Sequence, residues 1–431
     1  MKAAIVGYAT EGITSAAYWH KKGYEVTVCD QNAELKVPDV YQKKLGDEYL
    51  SGLGEYDVIV RSAGIHPRLL LAQNPGIETK ITTNIEEFLR VSPTRNLIGV
   101  TGTKGKGTTS TLITKMLSEA GYTTHLVGNI GQPPLELIET ITPDDWVVLE
   151  ISSFQLENFK GPSPHIAVCL MVVPEHLNWH ASMDEYTAAK GNLFRYQTES
   201  DYAIYFAEND TSARIAGSGK AKQLPYFRQP GAYVHEDYIE IEDVKVCKVS
   251  EIKLRGKHNW QNACAAVTAV WQVTPDVEAI QKVLKTFSGL EHRIEFVREL
   301  DGVSYFDDSF ATTPETSIAA MQAFSEPKVV ILGGSDKGIP LDPIADEVIK
   351  SNVKRVIAIG DMGAVIEKLL KDRKFDAITT GITTMTEMVA EARRFAAPGD
   401  VVLLSTGCAS FGLFKDYKDR GNQFKAAVQA L

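Results

Sequence analysis

Short apolar runs recur along the chain, each followed by a helix-like stretch. "AAIVG" at 3–7, "EVTVCD" at 25–30 and "YDVIVRSAG" at 56–64 come first, with residues 12 to 22 as the first helical segment. Strands separated by helical patterns predict a parallel sheet covered by helices. The polar, proline-containing "RVSPTRN" closes this unit. "LIGVTG" at 97–102 then opens a second, whose helix is expected to begin near Thr108 and to run through "STLITKMLSEAG". "DDWVVLEISS" and "HIAVCLMVV" read as buried central strands of the same sheet, and the alternating "AYVHEDYIEIEDVKVCKVSEIKL" as antiparallel strands flanking it. From about residue 290 the alternation restarts with "VSYFDDS", "PKVVILGGSDKG", "KRVIAIGDMG" and "DVVLLSTGCAS". The expected fold is α/β in three domains. These are an N-terminal Rossmann-like domain (1–92), a central P-loop-type mononucleotide-binding domain with flanking antiparallel strands (93–289), and a C-terminal Rossmann-like domain (290–431).

Charge and cysteine usage narrow the picture. With 45 Lys+Arg against 55 Asp+Glu, the net charge is -10, which argues against a surface that coats nucleic acid or anionic membrane. The five cysteines are scattered and form no CxxC, so neither a disulfide framework nor a zinc site is indicated. No apolar stretch approaches the length of a membrane span. These features predict a soluble cytoplasmic protein.

The richest chemistry lies in "GVTGTKGKGTTS" at 99–110. A strand, a glycine-rich turn and a helix place backbone N–H groups and the positive helix end around an anion, and a lysine adds a point charge. Gly102, Thr103, Lys104, Gly105, Lys106, Gly107 and Thr108 supply those parts. The spacing departs from GxxxxGK[ST], because two residues separate Gly102 from Gly105 and a glycine follows Lys106. Nucleoside triphosphate binding is favoured over a merely flexible turn. Glu150 ends a buried-looking strand, where an ionised carboxylate is costly unless it meets a metal or a donor. At the N-terminus, "GYATEG" places Gly7, Ala9 and Gly12 where a dinucleotide fingerprint has its glycines, and Asp30 ends the second strand. That turn serves a nucleotide such as NAD or packing alone.

Motifs along the whole chain resemble the Mur ligase family of ATP-dependent amide ligases. After the phosphate loop come "GNIGQPP", "LEISSFQLE", "PEHLNWH", "YTAAKGN", "GKHNWQNACAA", "FSGLEHRIE", "DDSFATTPE", "LGGSDKG" and "STGCASFGLFKDYKDRGNQF", in that order. Within the family, "SSFQLE" and "CASFxxFKxYxxRG" resemble the branch that adds D-glutamate to UDP-N-acetylmuramoyl-L-alanine in peptidoglycan synthesis. "GTKGKGT" resembles the folylpolyglutamate synthase branch instead, and a catalytically impaired nucleotide-binding descendant is the third reading.

The resemblance implies roles. ATP phosphorylates the alanyl carboxylate and the glutamate amine attacks the acyl phosphate. Lys106, Glu150, His176 and Lys190 are the implied catalytic residues. Two magnesium ions are expected, on Thr108, Glu150, His176 and a carbamylated Lys190, with Thr108 supplying the hydroxyl that Gly107 lacks. Asn259 and Asn262 match adenosine-side positions, and Arg293 and Asp308 match phosphate and ribose contacts. Thr10, Glu11, Asp30, Gln31, Ser62, Gly64, Ile65 and Asn129 match the UDP-muramoyl site, and Lys337, Ser410 and Tyr417 the amino-acid site. A monomer is expected, with no nucleic-acid partner. Met171, Val173 and Asn178 stand where the family commonly has Asn, Thr and Asp. Phe310 stands for a frequent lysine and Gly412 for a frequent aspartate.

Overall fold

The computed structural model describes residues 1–254, 256–336 and 339–431, in two compact units, Met1–Phe287 and Ser288–Leu431. The first unit contains three sheets. Its N-terminal sheet is parallel, with β1 (Lys2–Val6), β2 (Glu25–Asp30), β3 (Gln42–Leu45), β4 (Val58–Arg61) and β5 (Ile81–Thr82) in the order β3-β2-β1-β4-β5. Ala3, Ala4, Ile5 and Val6 are fully buried, as a strand covered on both faces requires. The strand order reverses at β1, where the crevice beyond the carboxyl ends of such a sheet forms. Gly7 (φ 87°) turns the chain there, into a helix at Thr10–Lys21 that starts two residues earlier than its pattern suggests. A Cβ at Gly12 would overlap the Gly7 carbonyl, so the helix packs onto the turn only through a bare backbone.

The second sheet, also parallel, has β6 (Leu97–Thr101), β7 (Thr124–Gly128), β8 (Trp146–Glu150), β9 (Ile166–Cys169), β10 (Tyr202–Phe206) and β11 (Lys222–Tyr226) in the order β11-β10-β9-β6-β8-β7. Central β6 delivers the chain into the phosphate loop between the ends of β8 and β9. The helix after the loop spans Lys106–Glu119, beginning at the lysine rather than near Thr108. The alternating segment after 231 is antiparallel, as expected, and forms a sheet of its own rather than adding strands to this one. β12 (Tyr233–His235), β13 (Tyr238–Ile241) and β14 (Val244–Lys248) pair with one another as a separate antiparallel sheet.

The second unit is a mixed sheet: β15 (Glu295–Leu300), β16 (Val303–Asp307), β17 (Lys328–Gly333), β18 (Val353–Ile359), β19 (Ile378–Thr379) and β20 (Val401–Leu404), in the order β15-β16-β20-β17-β18-β19. Only β15 runs antiparallel. It departs from a wholly parallel Rossmann-like sheet because Asp301 (φ 51°) and Gly302 (φ 76°) make a two-residue hairpin turn, for which Asp-Gly is favoured. Two apolar clusters cover the two faces, one around Val330, Leu332 and Ile366, the other around Tyr305, Met388 and Phe424.

Gly421 lies inside the helix Tyr417–Gln429, where glycine costs about 1 kcal/mol against alanine. A Cβ there would overlap His292 Nδ1 and Asp307 Oδ2, which hold each other at 2.7 Å with both residues buried. Gly421→Ala is therefore expected to lower the melting temperature by several degrees, despite its gain in helix propensity. A thermal melt that rises instead would show that the His292–Asp307 pair yields without cost.

Candidate active site

The phosphate loop owes its shape to glycines: Gly102 sits at φ 143° and Gly105 at φ 88°. Added side chains would overlap Leu170 at the first position and Asn262 Oδ1 at the second. Asn262, from the helix Lys257–Trp271, thus rests against the loop and donates to Asn259 Oδ1 at 3.1 Å. Both asparagines lie inside this helix rather than at its cap.

Two lysines converge on one atom. Lys106 Nζ donates to the carbonyls of Gly102 (3.1 Å) and Thr103 (3.0 Å), and Lys190 Nζ donates to the same Gly102 carbonyl at 2.9 Å. Lys190 is 1% exposed, and its ammonium lies 4.5 Å over the Tyr186 ring. Burial, with the nearby Lys106 charge, pulls its amine down to about 7. Tyr186 OH in turn meets Thr103 Oγ1 at 2.9 Å. Tyr186 was not among the expected residues, yet it stands four positions before Lys190 on the helix Met183–Gly191, so both reach the same face.

Strand pairing explains the next constellation. Gly128 of β7 is in register with Glu150 of β8, which puts Asn129 beside the carboxylate, and Asn129 Nδ2 donates to Glu150 Oε1 at 2.9 Å. Glu150 is 5% exposed. Thr108 is half-buried in the first turn of the loop helix. His176 sits at φ 58°, half-exposed, with Phe154 4.8 Å from its ring. Burial and then the Lys106, Lys190 and Lys104 charges hold its imidazole below the ordinary value, against the opposing pull of Glu175. Glu175 also pairs with exposed Lys104. Phe154 further touches Trp179 (4.7 Å) and His180 (5.9 Å), and Trp179 stacks on His66 at 4.8 Å.

The first β-turn brings most of the N-terminal candidates together. Asp30 Oδ2 accepts from Tyr8 N at 2.8 Å, and Ser62 Oγ donates to the Gly7 carbonyl at 2.8 Å. Ile65 packs on Gly7, Gly64 is exposed nearby in sequence, and Thr10 and Gln31 are exposed. Glu11 accepts from Ala63 N of the same segment at 3.3 Å and from Gln155 Nε2 at 2.6 Å. Buried Arg61, which sequence reading passed over, donates to Ile65 O and Phe154 O, both at 2.8 Å, tying this turn to "SSFQLE". Its signal was a charge closing an apolar strand.

In the second unit, Asp308 is 4% exposed and accepts from Ser405 Oγ (2.7 Å) and Ile294 N (3.1 Å). Burial pushes its carboxyl up from 3.8 to about 7, against those hydrogen bonds. A carboxylate raised on folding costs stability once it is ionised, so the cost grows as pH rises from about 4 to about 7 and stays above that. Asp308→Asn should therefore unfold several degrees above the parent at pH 8, the two converging near pH 4 in thermal melts. Arg293 forms no surface ion pair among the described residues; its guanidinium lies 4.2 Å over the Phe310 ring. Ser410 is buried, Tyr417 begins the last helix and its carbonyl accepts from Ser309 Oγ at 2.7 Å, and Gly412 (φ 94°) faces open space. Lys337 lies outside the described residues. Buried Arg420 was also missed: it donates to Ser309 O (2.8 Å) and Cys408 O (3.3 Å), joining the "DDSF" and "CAS" loops.

Residues 100–270 match the Mur ligase middle domain and residues 292–408 the Mur ligase glutamate ligase domain. Two solved structures share the fold. The UDP-N-acetylmuramate–alanine ligase of Thermotoga maritima is 16% identical with a TM-score of 0.59, covering 100% of this chain and 99% of that one. The MurF ligase of the same organism, in complex with ADP, is 16% identical with a TM-score of 0.57, covering 99% and 95%. Relatives that match over the whole length are closer in sequence. Those of Acetivibrio thermocellus and Symbiobacterium thermophilum are each 38% identical, cover 100% of this chain and 96% and 98% of their own, and are UDP-N-acetylmuramoylalanine–D-glutamate ligases. These matches define an ATP-dependent acid–amino-acid ligase, and the chain belongs to the Mur ligase family. Within that family it belongs with the UDP-N-acetylmuramoylalanine–D-glutamate ligases.

Proposed function

We propose that this chain joins D-glutamate to UDP-N-acetylmuramoyl-L-alanine, acting as a monomer in the cytoplasm. The observation that carries the reading is the convergence of Lys106 and Lys190 on the Gly102 carbonyl, at the mouth of a loop whose backbone donors suit phosphate oxygens. Residues 1–92 take the UDP end, 93–289 the nucleotide and the acyl group, and 290–431 the amino acid. Asp30, Gln31, Ser62, Gly64 and Ile65 line the UDP side with Thr10, and Glu11 acts there through Gln155 and Ala63. Asn259 and Asn262 take the adenosine side, Arg293 and Asp308 phosphate and ribose, and Ser410, Tyr417 and Lys337 the D-glutamate.

The chemistry follows from charge. Lys106 neutralises the γ-phosphoryl group as an oxygen of the alanyl carboxylate attacks it and ADP leaves. The glutamate amine then attacks the acyl carbon and gives up a proton, and the tetrahedral intermediate expels phosphate. Glu150, held by Asn129, and His176, whose lowered imidazole keeps a lone pair, fit two magnesium ions, with Thr108 as a further ligand. When bound, those ions neutralise phosphate charge. Lys190 fits this set only in another form: an ammonium repels a divalent cation. Its amine at about 7 is substantially unprotonated at neutral pH, so its nitrogen can add to carbon dioxide and lose a proton, giving a carbamate anion.

The test is phosphate release with ATP, the UDP-muramoyl alanine and a panel of amino acids. Release that needs both the UDP substrate and D-glutamate is expected. Release with a folate and L-glutamate instead, or none at all, would overturn the reading.

A further inference from the structure

Phe310 is 39% exposed beside residues proposed to act on substrate. Its position is well defined by the chain around it. Phe310 N donates to His292 O at 2.9 Å, Ser309 Oγ is fixed on Tyr417 O at 2.7 Å, and the buried Arg420 guanidinium grips Ser309 through its side chain (2.9 Å) and carbonyl (2.8 Å). The ring itself is held from two sides. Tyr417 meets it edge-on, with centroids 5.3 Å apart at 87°, and the Arg293 guanidinium lies 4.2 Å over its face.

Apart from the charge of buried Asp308 acting on it, Arg293 has no other strong hold among the described residues. It is exposed, it stands between His292 (φ 61°) and Ile294 (φ 46°), and among the described residues its guanidinium donates to no protein acceptor. A guanidinium resting on an aromatic face keeps its full charge and all its N–H donors, whereas one paired with a carboxylate must give that partner up before it can take an anion.

We infer that Phe310 is a positioning residue for ATP use: its ring is the platform that holds Arg293 aimed and unneutralised, ready for phosphate oxygens. This rests on the proposed role of Arg293 as a phosphate contact. The stack orders a long side chain before the nucleotide arrives, so part of the ordering cost of binding is already met. Tyr417 braces the ring from the edge, and Arg420 fixes the loop beneath it.

The experiment measures KM for ATP, KM for D-glutamate, kcat and the melting temperature of the full-length enzyme and of Phe310→Leu, Phe310→Trp, Arg293→Ala and the Phe310→Leu/Arg293→Ala double variant. Phe310→Leu is expected to raise the KM for ATP about two- to five-fold, the range of an exposed cation–π contact. The KM for D-glutamate and the melting temperature should stay within error. Phe310→Trp, with a better π face, should hold the KM for ATP within twofold of the parent. The double variant should match Arg293→Ala alone, because the platform has nothing left to hold. If Arg293→Ala raises the KM for ATP and Phe310→Leu does not, or if the two effects simply add, the platform is overturned while the role of Arg293 stands. If Arg293→Ala leaves the KM for ATP unchanged, the phosphate contact falls and the inference falls with it.

Discussion

Lys106→Ala is expected to reduce D-glutamate-dependent phosphate release by about a hundred- to a thousandfold, chiefly in kcat. The size follows from where the charge acts. Removing one preorganised donor from the place where transition-state charge develops costs about that much in other enzymes, and a lysine in a phosphate loop carries a full charge. The variant should stay folded, because Lys106 is only half-buried and lies in the loop rather than in the core of the sheet. A steady-state assay beside a thermal melt separates the two effects. Turnover within tenfold of the parent would remove Lys106 from the chemistry.

Lys190 presents the second large effect, with a different signature. Lys190→Ala should lose turnover by about a hundredfold or more, on the scale of a lost electrostatic contact at the reacting centre. Lys190→Met should be equally inactive while melting at or above the parent temperature. An amine that is 1% exposed and 4.5 Å from an aromatic face is an expensive group to bury, and methionine fills the space without the charge. A purely structural lysine would behave the other way, losing stability and keeping activity. The carbamate has its own measurement. Enzyme equilibrated with carbon-13 bicarbonate should show a carbamate carbon resonance that Lys190→Met lacks. Its absence from the parent enzyme in the presence of magnesium would reject the carbamylation.

The phosphate loop and Glu150 were legible from residue spacing, for a topological reason, whereas His176, Lys190 and Asn129 were named only through the family resemblance. In a parallel sheet the catalytic loops follow the carboxyl ends of adjacent strands, so an apolar run that stops at a glycine or a glutamate announces its own place. "LIGVTG" before the phosphate loop and "VVLE" ending at Glu150 are of that kind, and β6 and β8 stand side by side. What stayed hidden depends on packing between segments distant in the chain. Arg61 showed only as a charge closing an apolar strand, with nothing to say that it reaches Phe154, and Arg420 joining two loops and Arg293 lying on Phe310 have no local pattern. The β15–β16 hairpin is a different case. Its Asp301–Gly302 turn is a strong local signal, but the strand-and-helix rhythm was read only from "VSYFDDS" onward, so β15 went unread. The helix starting at Lys106 rather than near Thr108 has a similar cause: Gly105 supplies the left-handed residue that ends the loop, and nothing after it delays the helix.

The Gly102 carbonyl shared by Lys106 and Lys190 has a consequence for how the nucleotide is won. The Lys106 ammonium already has oxygen acceptors before ATP arrives, so binding trades one set of hydrogen bonds for another and adds few. The gain lies in exchanging a neutral carbonyl for a charged phosphate, which adds ion–ion attraction to each bond kept. A tighter grip on ATP than on any uncharged mimic of its shape is thus built into the loop, and it comes from charge rather than from the number of contacts.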